Sequence, residues 1–256
     1  MKVTYIRHSC FLAETAGCSL LFDYYEGNLP PIPGDRPLYI FASHSHGDHY
    51  SRAIFDIAAS HGNARCILSS DIHPGLLPSS VRNRVISLRP HQTWQDDIIH
   101  AETLESNDAG VAFWIKAAGL PPALRGPAAG PGSGGTGSAD SSVRIYHAGD
   151  LNNWYWDGDD EDAVLAGRYH RELSRIAGRH ADAAFIPLDP RLKRPELGIL
   201  DFLSCCSADA VFPMHQWGNY RLTDEVLNMP AMAAYRGRIR VIRKEGQEFL
   251  LHPAEK

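Results

Sequence analysis

The sequence predicts a mixed α/β fold of α+β character, built on β-sheets. Its first half is rich in short apolar or alternating runs, and its second half alternates strand-like and helix-like segments. Composition agrees: 44% of the 256 residues are hydrophobic and 21% charged. These values exclude a wholly disordered, collagenous or coiled-coil chain. The length accommodates one large domain or two small ones. It also suffices to bury a core without disulfide or metal staples.

Residues 2–7 and 19–23 read as a β-hairpin whose turn passes through Ala16 and Gly17. Residues 24–37 hold Gly27, Gly34 and four prolines, so they form a loop. Leu38 to Ala42 is a continuous apolar run, the mark of a strand covered on both faces. Residues 51–61 read as a helix with Ser51 as N-cap and Gly62 beyond its end. Short strands follow at 66–68, 85–88, 98–104 and 111–116. Residues 119–142 contain seven glycines and four prolines. Such a stretch buries too little apolar surface to offset its ordering entropy, and it is expected to be a flexible surface insertion. Beyond it come a strand at 143–146, a helix at 160–179 with Val164, Leu165, Leu173 and Ile176 at helical spacing, and a strand at 183–186. A helix at 196–206, a strand at 210–212, a helix near 223–235 and a strand pair at 239–243 and 247–251 complete the pattern. Ligand-type residues lie on both sides of the insertion, so residues 1–256 are expected to form one domain.

The net charge of −5 argues against a large nucleic-acid footprint. Five cysteines are scattered without a CxxC pair. That fits reduced thiols in a cytoplasmic protein better than a disulfide framework or a zinc ribbon. No apolar run reaches ~20 residues, so no membrane span is expected, and the first residues read as a strand and not as a signal peptide.

The unusual entry is histidine, with 13 residues. The run His44-Ser45-His46-Gly47-Asp48-His49 begins where the buried strand 38–42 ends. Imidazole and carboxylate together suit zinc and neighbouring first-row metals. The i, i+2 spacing of His44 and His46 lets both rings reach one side of an extended segment, while Asp48 and His49 turn toward a second point. Two more strand ends repeat the theme: 144–146 runs into Ala148-Gly149-Asp150, and 211–214 runs into His215. Alone, Asp150 reads as a turn residue and His215 as a strand-end histidine. Beside the HxHxDH loop, both become candidate ligands held on rigid strand ends.

With those residues in place, in that order along the chain, the sequence resembles the metallo-β-lactamase-fold hydrolase superfamily. The opening segment Phe11 to Thr15 with Leu21-Phe22-Asp23 adds to the resemblance, which spans nearly the whole chain except 119–142. Within the superfamily it is most similar to the single-domain branch of the ascorbate-6-phosphate lactonase type. The resemblance implies a four-layer αββα sandwich with the metal site at one edge between the sheets. It further implies two divalent metal ions, zinc first, with Asp48, His49 and His215 on one and Asp150 bridging to the other at His44 and His46. Hydrolysis by a metal-bound hydroxide follows from such a centre. Asp48 would assist proton transfer and His215 would complete the catalytic machinery.

One position departs from the family pattern. The turn before the 111–116 strand, where the family usually supplies a further histidine, reads Ser106-Asn107-Asp108-Ala109-Gly110. Asp108 is the natural substitute as third ligand of the first metal, and it reads equally as a turn residue capping backbone N–H groups. An added carboxylate makes the site harder and moves it toward manganese or iron. His8 and His147 read as supports for neighbouring ligands. Asn153, Trp154, Tyr155, Trp156, Trp217 and Tyr220 follow ligand-bearing strand ends and are expected to wall a substrate pocket or simply to pack. Arg191 reads as a binder of an anionic substrate group or as a surface residue.

The absence of an export signal argues against a secreted β-lactamase. The length is too short for the inserted domain of nucleases. The 41 residues after His215 are too few for the helical substrate domain of glyoxalase-type thiolesterases. The expected substrate is a lactone, ester or phosphodiester of a small polar metabolite. The competing reading is a metal-binding protein that is not a hydrolase, either a di-iron redox protein or an inactive scaffold.

Overall fold

A computed structural model describes residues 1–75, 77–118 and 142–252. The insertion expected at 119–142 therefore falls, Ser142 aside, outside the described residues. In chain order the main elements are β1 (Lys2–Arg7), β2 (Cys10–Glu14), β3 (Ser19–Phe22), β4 (Leu38–Ala42), α1 (Ala53–Ser60), β5 (Ala64–Ser69), β6 (Val85–Leu88), β7 (Thr93–Gln95), β8 (Ile99–Glu105) and β9 (Val111–Ala117). They continue with β10 (Val143–His147), α2 (Asp160–Arg175), β11 (His180–Ala181), β12 (Ala183–Pro187), α3 (Leu197–Cys205), β13 (Ser207–Ala208), β14 (Val211–Met214), α4 (Arg221–Leu227) and β15 (Glu248–Leu250).

Two sheets dominate. The first has the order β15-β1-β2-β3-β4-β5-β6 and the second β14-β12-β10-β9-β8-β7. β1, β2 and β3 pair antiparallel, and β3 to β6 pair parallel. In the second sheet β7 to β10 pair antiparallel, while β10, β12 and β14 pair parallel. β4 shows how the layers form. Tyr39 and Phe41 point into the cluster between the sheets, whereas Leu38, Ile40 and Ala42 join Ile54, Phe55 and Ala58 of α1 on the outer face. Period-2 alternation with apolar residues on both faces explains why this strand reads as one unbroken apolar run. On the second sheet, α3 packs on β12 and against α2. Tyr169, Leu173 and Ile176 of the α2 segment join Phe202 and Tyr146 in the core. The result is the αββα arrangement expected from the resemblance.

Several elements differ from the sequence reading. The hairpin turning near Ala16 and Gly17 joins β2 to β3, and residues 2–7 form a separate strand that turns through His8 and Ser9 onto β2. α1 starts two residues after Ser51, whose Oγ accepts from Ala53 N–H at 3.3 Å. α2 is capped by Asp159, which accepts from the N–H groups of Glu161 and Asp162, and it ends at Arg175. Val164 is 55% exposed and not part of its apolar stripe. The helix near 223–235 is the short α4 followed by 3₁₀ turns at Pro230–Met232 and Arg236–Arg238. Of the terminal strand pair only β15 forms, and it pairs with β1; residues 239–243 contribute a single bridge, Ile239 to Val211. Among the described residues no helix is long and apolar enough to cross a membrane, and none of the five cysteines forms a disulfide.

The two sheets meet closely at Ser43, just after β4. A Cβ placed on Gly110 would lie 2.1 Å from the Ser43 carbonyl oxygen and 2.5 Å from His44 Cβ, and Gly110 has φ +68°. A Cβ on Gly149 (φ +52°) would lie 2.7 Å from Ser43 Cβ. Only glycine satisfies both the left-handed backbone and this approach. Gly110→Ala is therefore expected to destabilise the fold by about 1–3 kcal/mol through overpacking. Gly62→Ala, with open space around it, is expected to stay within ~0.5 kcal/mol. Denaturant unfolding of the two variants checks the contrast.

Candidate metal centre

β1, β3 and β4 point the same way in the first sheet, as do β10, β12 and β14 in the second. Their C-terminal ends gather at one edge, where open α/β sheets place ligands. There β1 delivers His8, β3 Asp23, β4 the His44–His49 loop, β10 Asp150, β12 Asp189 and β14 His215.

Two groups of donor atoms form. His8, Asp48, His49 and His215 each bring one ligand-type atom within 4.8 Å of the others, and so do His44, His46 and Asp150. Asp150 stands between the groups. Its Oδ2 lies 3.4 Å from His44 Nε2, and its Oδ1 lies 3.2 Å from His49 Nε2 and 3.7 Å from His215 Nε2. Asp48 Oδ2 lies 3.4 Å from His8 Nε2 and 3.9 Å from His215 Nε2.

The inner nitrogens of His8, His44 and His49 and Oδ1 of Asp150 are buried and make no hydrogen bond within the protein. Buried polar atoms without partners are rare because each carries a desolvation penalty of ~1–3 kcal/mol. Four of them, two in each donor group, fit bound cations. The opposite ring atoms are held firmly. His49 Nδ1 lies 2.7 Å from Asp23 Oδ2, and His215 Nδ1 lies 2.8 Å from Asp189 Oδ2. Ser43 Oγ donates to Asp23 at 2.7 Å and lies 2.9 Å from His44 Nδ1. Carboxylates behind imidazoles in this way fix ring orientation and raise ligand basicity.

Charge follows the same layout. Burial, with His49 nearby, pushes His44 down to about 4, so its ring is neutral at neutral pH. His49 moves the other way: burial would lower it, but Asp150 and Asp23 on its two sides raise it well above its ordinary value. Asp150 is held far below the usual carboxylate range, its burial outweighed by His49, His215 and His44. Asp108, though exposed, is raised by the desolvation its neighbours impose and by the charge of Asp150.

A cleft of about 330 Å³ opens on the centre. His46, Asp48, Asp150 and His215 reach its floor, and Asp108, Trp154, Trp156, Arg191 and Trp217 line it. Asp108 is exposed and belongs to neither donor group. Its neighbour Asn107 is buried and clamps the turn, donating to the carbonyls of Asn152 (2.7 Å) and Leu165 (3.0 Å). Trp154 donates through Nε1 to the Asp150 carbonyl at 2.9 Å. Arg191 binds Asp189 through Nε and Nη2, with its guanidinium 4.9 Å from the Trp217 ring centroid and 5.4 Å from that of Trp156.

The model of the β-lactamase superfamily domain matches residues 2–215. The chain belongs to this family. A metal-dependent hydrolase of the UPF0173 group from Opitutus terrae is 29% identical over 236 residues, covering 84% of this chain and 79% of the relative. A second UPF0173 metal-dependent hydrolase, from Desulforamulus reducens, is 44% identical over 57 residues, which is 21% of this chain and only a quarter of that relative's length. Among solved structures, Igni18, a metallo hydrolase from Ignicoccus hospitalis, superposes with a TM-score of 0.55 at 16% identity and covers 97% of both chains. That likeness speaks for the metallo-β-lactamase fold.

The sequence reading brought His44, His46, Asp48, His49, Asp150 and His215 to one place, as the structure does. It did not single out the supporting carboxylates Asp23 and Asp189, although Asp23 directly follows β3 and Asp189 stands two residues beyond β12, both buried strands that end at this edge. His147 is buried behind Asp23, with Nε2 3.1 Å from the Ser9 carbonyl oxygen, and takes no place in either donor group. Tyr220 packs edge-on against Tyr5. Asp189 is fully buried and also accepts from Trp217 Nε1 at 3.2 Å. Asp189→Asn removes the charge behind His215, and zinc affinity is expected to fall by ~10–100-fold, read by chelator competition.

Proposed function

We propose that this member of the β-lactamase superfamily domain family is a metal-dependent hydrolase that cleaves a lactone, ester or phosphodiester bond of a small polar metabolite in the cleft over the two donor groups. The observation that carries the reading is the set of buried, unpartnered donor atoms of His8, His44, His49 and Asp150 in the two donor groups, of which Asp150 reaches the cleft. The relatives named as metal-dependent hydrolases support it.

Two divalent metals, zinc foremost with manganese or iron as alternatives, would be held by His44, His46 and Asp150 on one side and by Asp48, His49 and His215 on the other. Bound metal supplies a Lewis acid and acidifies a coordinated water toward neutral pH. The protein does the rest. Asp48 is 30% exposed at the side chain and lines the cleft, so it can take up and pass on a proton from attacking water. Asp23 and Asp189 keep the imidazoles of His49 and His215 fixed in orientation. Trp154, Trp156 and Trp217 wall the substrate and limit water. Arg191, stacked between Trp156 and Trp217, meets the polar or anionic part of the substrate.

Asp108 is assigned as the carboxylate that completes the His44 and His46 site. It lines the same cleft, and the Asp150 charge that raises it would be countered by a cation between them. Asp108→Asn is then expected to lose one metal equivalent on dialysis that wild type retains. Retention of both equivalents would return Asp108 to the role of a turn residue.

The activity itself is tested with zinc- and manganese-loaded protein on a panel of lactones, esters and phosphodiesters. Turnover in one class, abolished by chelator and reduced at least ~10²-fold in kcat by Asp48→Asn, is the expected result. Metal-loaded protein inert toward all three classes would favour a non-hydrolytic metal protein.

A further inference from the structure

We propose that His8 is a metal ligand, and that it makes the Asp48, His49 and His215 group the tighter of two unequal metal sites. This rests on the reading of the cleft floor as a metal centre.

His8 stands at the end of β1 with φ +51°, and His215 stands at the end of β14 with φ +63°. Left-handed backbone is uncommon for residues other than glycine and has to be held by its surroundings. Here the His8 N–H donates to Tyr5 Oη at 2.8 Å, and the His8 carbonyl accepts from the His215 N–H at 3.3 Å. That last contact ties the first sheet to the second and sets the two rings 4.1 Å apart, centroid to centroid. The His8 conformation turns a buried Nε2 without a hydrogen-bond partner toward the centre, which packing alone does not account for.

The spacing discriminates between a ligand and a hydrogen-bonding support. A charge-assisted N–H···O⁻ bond is ~2.7–2.9 Å long, and the supports Asp23 and Asp189 meet their histidines at 2.7 and 2.8 Å. His8 Nε2 and Asp48 Oδ2 are 3.4 Å apart. Two donors on one tetrahedral ion with bonds of ~2.0–2.2 Å are separated by ~3.3–3.5 Å. His8, Asp48, His49 and His215 bring three nitrogens and one oxygen within 4.8 Å of one another, with His215 Nε2 3.9 Å from Asp48 Oδ2, so this group would offer four protein ligands to one ion. The other group has His44, His46 and Asp150 close to one another, and the Asp108 proposed to complete it is exposed and lies outside that group, because the turn at 106–110 supplies no histidine. A closed set binds tightly, while a set with open positions binds more weakly and leaves room for water and substrate.

The experiment is nitrogen NMR of protein labelled with ¹⁵N-histidine and titrated with zinc. His8 signals are assigned by their loss in His8→Asn, a variant chosen because asparagine tolerates left-handed backbone. The expected result is that the His8 Nε2 resonance moves to the metal-coordinated range during the first equivalent, together with those of His49 and His215 and ahead of those of His44 and His46. His8→Asn is expected to weaken the first equivalent at least ~10-fold in chelator competition. If the other four histidines shift and His8 does not, His8 is no ligand and the metal centre stands without it. If no histidine shifts, the metal-centre reading fails as well.

Discussion

The carboxylate of Asp23 is the contact on which the site is built. It is fully buried at the end of β3 and accepts from the Ser43 N–H and the Ser43 hydroxyl, both at 2.7 Å, with His49 Nδ1 also at 2.7 Å. His147, from the opposite sheet, stands 3.9 Å away. Burying a charge is costly unless it is paired and hydrogen-bonded. Burial accordingly works to raise this carboxyl, and His147, His49 and His44 outweigh it and hold the group below its ordinary value. Through Ser43 the same carboxylate sets the start of the histidine loop, and through His49 it sets the far end. One charge thereby fixes the path of six residues.

Asp189 plays the corresponding part on the second sheet. Its partners are His215, Trp217 and Arg191, so it fixes one histidine of the centre and two walls of the cleft at once. Burial opposes its ionisation, and His215 and Arg191 hold it far below the usual carboxylate range. The two aspartates lie behind the centre on opposite sheets, and the rings they orient both face Asp150. Among the described residues, four of the five non-glycine positions with left-handed backbone, His8, Asp23, His215 and Trp217, cluster here. Such conformations persist where the surroundings over-determine them. Here the surroundings are rigid parallel strands ending together, closed by the approach of Gly110 and Gly149 to Ser43.

Local signals in the sequence made much of this legible. The unbroken apolar run of β4 marked a doubly covered strand, and a cluster of histidine and aspartate directly after it marked a loop built to hold metal. The Gly-Asp after β10 and the histidine after β14 were legible for the same reason. The errors lie where local pattern is weak. Residues 239–243 are apolar enough for a strand but form one bridge only. The α4 segment breaks at Asn228 to Pro230, because proline cannot continue the helix hydrogen bonding there. The early hairpin was misplaced because 2–7 and 10–14 are both strand-like, and the two-residue turn through His8 carries no glycine to announce it.

By itself, the sequence determined the sheet-based α/β class, the strand that leads into the histidine loop, and six of the residues that meet at the edge of the sheets. Period and residue type are local properties, and one chain displays them without any partner. Only the tertiary structure decided how those residues divide into two donor groups, which carboxylates stand behind them, and that His8 lies beside one of the groups. Those outcomes depend on bringing together strand ends more than 200 residues apart in different sheets, as in the contact between the His8 carbonyl and the His215 N–H. Such contacts are set by sheet order and by the approach of one sheet to another, which no short stretch of sequence encodes.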